Sequence, residues 1–191
     1  MSLPTEALFN PYDEASFDGS RCFLTGEATN PETDMLPVFP EWLQTRFGLH
    51  NQSITLLSGR KLPYAELLLP VGPQARKAGI DYLQRAVGDL LGAGFEAFKW
   101  LKPAMLYQWL SWVFQGIVYY EIKEALREKN MRNAFLLQES YLMRFKLLHL
   151  ALQGAIRPVE FMNFDPASVF VLECHNYEDP RAAFDLKVST N

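Results

Sequence analysis

Cysteine and histidine are scarce in this sequence: Cys22 and Cys174 are the two cysteines, and His50, His149 and His175 the three histidines, of 191 residues. Two cysteines separated by most of the chain cannot make the dense disulfide framework of a small secreted domain, so free thiols and a cytoplasmic setting are expected. A cationic excess is missing as well. The formal net charge of −4 repels a phosphate backbone over the chain as a whole and confines any nucleic-acid role to a local basic patch. The start, MSLPTEALFNPYDEASFDGS, has neither a basic n-region nor an apolar h-region, so no secretory signal is expected. No internal repeat, Gly-x-Ser-x-Gly elbow or P-loop occurs. The most apolar stretch, AMLYQWLSWVFQGIVYYEIKEAL, is interrupted by Gln108, Ser111, Gln115 and Gly116 and closed by Glu121 and Lys123. It reads as a core helix, with no membrane partner expected.

What the chain does have is apolar bulk. Hydrophobic residues make up 49% and aromatics 14%, which suits one densely packed unit rather than an extended solvated chain. Charge is distributed unevenly. Residues 1–70 carry four basic and nine acidic side chains, 71–160 twelve and eight, and 161–191 two and five, so the N-terminal third is the acidic part.

Local pattern gives an α+β, mostly helical class. Residues 1–20 are acidic and turn-rich and are expected to form an extended arm. PEWLQTRFGL, Pro40 to Leu49, reads as a short helix with Pro at its first turn and Gly48 near its end. The two apolar runs flanking SGRK in SITLLSGRKLPYAELLLP signal a hairpin, and VGPQARKAGI reads as a further turn. From Lys77 the period becomes helical, with Ile80, Leu83, Ala86, Val87, Leu90 and Leu91 on one face. A further helical stretch reaches about Leu101, Pro103 starts a new helix, and a last one covers about 133–153 with Arg144 and Lys146 off its apolar stripe. Beyond Pro158, VEFMNF, SVFVLECH and AAFDLKVS alternate with period two and predict a small C-terminal antiparallel sheet.

One motif raises a chemical question. CFLTG, Cys22 to Gly26, has the form of a zinc knuckle with a threonine where the second sulfur belongs. The order of knuckle-like turn, short helix, hairpin, second turn and helix is that of a treble clef. Cys22, Gly26, Val38, Phe39, Pro40, Trp42, Leu43 and Pro70 together resemble the framework of bacterial HNH-endonuclease-like proteins, whose pattern runs C-x-x-C-G, E-H-[VI]-[FIL]-P-x-W-L, then P-C-C-x-x-C-N. In that family a Glu-His pair supplies the histidine that activates water and helps hold the catalytic metal, while two cysteine pairs bind structural zinc. Here Leu36 and Pro37 stand at the Glu-His positions, Val71, Gly72 and Ala75 at cysteine positions, and Arg76 at the asparagine position. Leucine and proline neither take a proton nor donate a lone pair to a metal, and one thiolate does not make a zinc site. The resemblance therefore implies a degenerate, zinc-less treble clef over 21–101, packed on a helical core over 102–157, with strands over 158–191.

Zinc contributes on the order of 10 kcal/mol to folding in small zinc modules. Leu36, Val71 and the rings of Phe23, Phe39, Trp42 and Phe47 are expected to fill its place by packing.

The remaining candidates have plainer readings. Cys22 reads as a buried inert thiol, and Cys174 and His175 point to opposite faces of a strand, so a composite site with His50 needs a tertiary coincidence. His149, among leucines, reads as a hydrogen-bonded core or interface residue. Glu32, Asp34 and Glu41 flank the lost histidine and are the candidates for a rebuilt Mg²⁺ site, with His50 nearby. Lys123, Arg127, Lys129 and Arg132, mixed with Glu124 and Glu128, are the candidates for a nucleic-acid patch or an ordinary helix end. Three functions follow: a binding or interaction protein without catalytic residues, metal or cofactor, working through a protein partner or as a homo-oligomer; an enzyme with a rebuilt site in the 27–41 loop; and nucleic-acid binding without cleavage.

Overall fold

The computed structural model describes residues 9–14, 17–128 and 134–157. Within them the protein is α+β and mostly helical, with two small antiparallel sheets. The C-terminal strands expected over 158–191, with Cys174 and His175, lie outside the described residues.

The N-terminal segment is not extended where it is described. Pro11–Glu14 forms a helical turn, α1, and Tyr12 and Phe17 are both buried in the core. Acidic, turn-rich composition hid two aromatic anchors that bury more apolar surface than the surrounding charges can offset by staying in water. Next, Arg21 bridges Ala28 across the CFLTG turn. Strand β1 (Met35–Pro37) pairs with β4 (Leu68–Pro70) in antiparallel register, Leu36 opposite Leu69.

Between these strands lie α2 (Glu41–Phe47) and the hairpin of β2 (Ser53–Thr55) with β3 (Lys61–Pro63), whose turn holds the predicted SGRK. Pro40 enters α2 with φ −57°, and Gly48 ends it at φ 63°, a left-handed conformation that a side chain would strain. Phe47 does not join the packing; it is 51% exposed. Its position on the outer face of a seven-residue helix explains this, since only one stripe of so short an element can face inward.

The stretch VGPQARKAGI is helical rather than a turn. Pro73 sits at the first helical position, where its fixed φ fits and its missing N–H costs nothing. Helix α3 (Pro73–Ala75) runs through a π turn, Arg76–Ile80, into α4 (Asp81–Gly92). Gly79, inside that π turn, packs so closely on the Ala155 carbonyl that a Cβ there would collide with it.

A short α5 (Phe95–Phe98) leads to α6, Pro103–Glu128, the 26-residue helix around which the rest is arranged. Gly116 brings α6 against Val38, and Trp112 Nε1 donates to Val38 O at 2.9 Å. Near its end, Glu121 and Glu124 are both buried: Glu121 accepts from Leu57 N at 2.6 Å and Glu124 accepts from Arg60 at 2.5 Å. These bonds fasten the β2–β3 turn to α6. Helix α7, Glu139–Gln153, completes the core, with Phe145 and Leu152 buried. Among the described residues, no helix is long and apolar enough to cross a membrane.

Candidate functional site

The CFLTG turn is closed by its own backbone. Cys22 N donates to Glu27 O at 2.7 Å and Gly26 N to Cys22 O at 2.9 Å, with Gly26 at φ 73° and the Phe9 ring lying where its Cβ would be. Phe23 N donates to Pro70 O at 2.7 Å, and the Glu27 side chain rests against Gly72. The two stretches that the family pattern would fill with cysteines are thus in contact.

Among the described residues, no zinc site fits between them. Cys22 is fully buried with a free thiol, and Val71 and Ala75 belong to the same apolar cluster. Among the described residues, no three His, Cys, Asp or Glu side chains are grouped to hold a metal ion.

What holds the turn is α7. His149 and Gln153 lie one helical turn apart, i and i+4, on one face. His149 Nε2 donates to Phe23 O at 2.7 Å, and Gln153 Nε2 donates to Leu24 O at 2.8 Å and to Phe9 O at 2.7 Å. Rings close the space around them. Phe23 meets His149 edge-on at 4.8 Å and Tyr119 at 5.7 Å, and Tyr12 stands at 6.2 Å from His149. Gln115, fully buried in α6, takes the Tyr12 hydroxyl and donates to Phe145 O at 2.8 Å.

Burial sets the protonation states here. It lowers His149 from 6.5 to about 4, against the bond to the Phe23 carbonyl, which favours the charged form. A neutral ring donating from Nε2 leaves Nδ1 as a buried acceptor without a partner among the described residues. Burial also pushes the Tyr12 phenol well above its ordinary value.

A second feature lies at the Leu36–Pro37 positions themselves. Leu36, Pro37, Pro40, Glu41 and Trp42 form one wall of a cleft of about 480 Å³, with Trp112 also lining it. The other wall is one face of α4: Asp81, Gln84, Arg85, Gly88 and Asp89, spaced i, i+3, i+4, i+7 and i+8. Ile80, Leu83 and Val87, from the predicted apolar stripe, are buried behind it. Gly88 admits the Trp42 indole, whose atoms lie 3.0–3.1 Å from where a Cβ would stand.

Behind the cleft lining, two covered donors are unpaired among the described residues. Gln84 Oε1 accepts from Trp109 Nε1 at 3.0 Å, which directs its Nε2 elsewhere, and that Nε2 has no acceptor. Trp42 Nε1 is likewise buried without one. Each unpaired buried donor costs roughly 1–3 kcal/mol relative to a paired one. Asp81 is held by Arg76 at 3.2 Å, whereas among the described residues Arg85 and Asp89 form no ion pair.

The other sequence candidates do not converge. Asp34 closes its own loop, accepting from Asn30 N at 2.9 Å, and Glu32 N donates to Asn30. Of the three loop acids, Glu41 alone lines the cleft, with His50 at 3.5 Å from its carboxylate. Lys123 lies over the Tyr119 and Tyr120 rings at 6.0 and 5.7 Å, and Arg127 binds Glu124 at 3.1 Å, so both are engaged within the fold. Lys129 and Arg132 lie outside the described residues.

Sequence reasoning missed the polar face of α4 and the α7 pair. The first was available as the complement of the apolar stripe at Ile80, Leu83 and Val87. The second had only a weak sign, a histidine and a glutamine one turn apart in an apolar helix. Comparison with protein-family models, curated proteins and solved structures finds no match to the chain.

Proposed function

We propose that the chain is a metal-free, catalytically silent protein on an HNH-endonuclease-like scaffold, that it works as a binding protein, and that its binding site is the cleft between residues 36–42 and α4. The observation that carries this reading is the cleft's place: Leu36 and Pro37, which stand where the resemblance puts the catalytic pair, line it. Its polar groups suit recognition. A guanidinium, an amide and separate carboxylates orient a ligand, but no side chain there is a nucleophile with an adjacent base. The treble-clef reading of residues 21–101 is supported by the contact of 22–27 with 70–72 and by the helix that begins at Pro73. The free buried thiol of Cys22 suits a reducing, cytoplasmic setting.

The test combines two measurements on the full chain. Elemental analysis of protein purified without chelator is expected to find zinc near zero per chain. Incubation of supercoiled plasmid with Mg²⁺, Mn²⁺ or Zn²⁺ is expected to give no cleavage above background. Cleavage that Asp34→Asn or Glu41→Gln abolishes would overturn the reading in favour of a rebuilt metal site.

A further inference from the structure

We propose that the outer stripe of α6 pairs with the same stripe of a second copy of this chain, antiparallel about a two-fold axis. The surface is separate from the cleft. Trp112, which lines the cleft, lies roughly 180° round α6 from the centre of the stripe at about 100° per residue, so pairing leaves the cleft open.

Spacing comes first. Tyr107, Leu110, Phe114 and Ile117 fall at i, i+3, i+7 and i+10, the repeat of a helix–helix seam. None is charged. Leu110 and Phe114 are 38% and 44% exposed, with Tyr107 and Ile117 half-buried beside them. The stripe stops one turn on at Glu121, which is buried and accepts from Leu57 N. The Phe114 ring meets that of Phe145 at 6.1 Å, and α7 extends the apolar face with Leu147, 39% exposed, and the half-buried Leu148.

Area comes second. At about 150–250 Å² for a whole large side chain, the exposed parts of these six residues present roughly 350 Å² of apolar area. A stable dimer covers about 800 Å² per partner, a little over half of it apolar, so the face supplies most of the apolar area that a second copy needs.

Symmetry comes third, and it selects the occupant. The gaps of three, four and three residues read the same in both directions. An antiparallel two-fold through the midpoint of the stripe therefore sets Leu110 against the partner's Phe114 and Tyr107 against the partner's Ile117, a ring beside a branched aliphatic side chain each time, and symmetry repeats both contacts. Arg144, exposed on α7, stands at the edge, where a guanidinium is ordinary for an interface. A strongly charged partner, by contrast, finds no complementary charge on the stripe itself.

The experiment is sedimentation equilibrium of the full chain between about 5 and 200 µM, where a mass of two chains is expected at the upper end. The Leu110→Glu, Leu147→Glu double variant places like charges in the paired face. It should keep the helical circular dichroism and raise the dissociation constant at least about 100-fold. Trp100→Glu, at a side chain 85% exposed and outside the stripe, should leave the dimer as it is. If the double variant loses its helical signal, Leu110→Ser takes its place, with an expected weakening of about tenfold. A wild-type chain of single mass at about 200 µM overturns the inference. So does a dimer that resists these substitutions, or one that Trp100→Glu disrupts equally, since both put the contact elsewhere. Zinc content and plasmid cleavage are measured separately, so failure here leaves the binding-protein reading to its own test.

Discussion

The CFLTG turn and the cleft at Leu36–Trp42 differ in how their buried polar atoms are satisfied. At the turn, donors from α7 reach the carbonyls of Phe9, Phe23 and Leu24, and what stays unpaired are acceptors: His149 Nδ1, Gln153 Oε1 and Glu27 Oε1. Beside the cleft the unpaired atoms are donors, Trp42 Nε1 and Gln84 Nε2. An unpaired carbonyl or imine lone pair, as at Gln153 and His149, is tolerated more readily than an orphaned N–H. The turn is thus a finished structural element. Beside the cleft, the covered donors of Trp42 and Gln84 have no acceptor among the described residues.

The largest effect that this contrast predicts is on the turn side. Phe23 is 2% exposed and its ring sits among Tyr12, Tyr119 and His149. Phe23→Ala should cost about 3–5 kcal/mol in urea unfolding, by leaving a cavity among these rings. A loss below about 1 kcal/mol would show that the turn is carried by its backbone bonds alone, and the contrast with the cleft would collapse.

Protonation gives the next effect. The unfolded chain protonates His149 near 6.5 and the folded chain only near 4, so between these values the unfolded state holds more protons. Stability from this group is complete above about pH 6.5, falls as pH drops toward 4, and changes no further below that. The loss amounts to about 3 kcal/mol. His149→Gln keeps an N–H for the Phe23 carbonyl without titrating, so the variant should show a flatter profile across this window. Identical pH profiles for the two proteins would mean that the imidazole is not held neutral in the fold.

Gln153 sharpens the comparison at a smaller scale. Gln153→Leu keeps the bulk but leaves the Leu24 and Phe9 carbonyls without their donor, for an expected loss of roughly 1–3 kcal/mol by thermal or urea unfolding.

How far the sequence foretold these two regions follows from what each depends on. Strong local signals were readable: Pro40 and Gly48 bracket α2, SGRK makes the hairpin turn, and Pro103 begins α6. Cys22 was readable as a buried thiol and His149 as a hydrogen-bonded core residue. The arm escaped because Tyr12 and Phe17 find their partners more than a hundred residues away, on α6 and α7. The helical start at Pro73 escaped because Gly-Pro is equally a turn signal and a helix entry, and the burial of Ala75 and Ile80 that favours the helix is tertiary. The cleft was half legible. Its Leu36–Trp42 wall lies on the motif, but the α4 wall meets it through tertiary packing, with Leu83 and Val87 in one cluster with Trp42 and Leu43 and Gly88 admitting the Trp42 indole.

The smallest predicted effect is therefore the most discriminating. Trp42→Phe removes a buried N–H that has no acceptor, so the lost packing of the larger ring is set against relief of an unpaired donor, and the net change should stay within about 1 kcal/mol. Gln153→Leu, which also deletes buried polar hydrogens, removes donors that are in use and should cost more in the same assay. If instead Trp42→Phe destabilises as much as Gln153→Leu, the indole N–H is serving the fold. The cleft would then be a second structural seam like the turn, rather than a surface left open for a ligand.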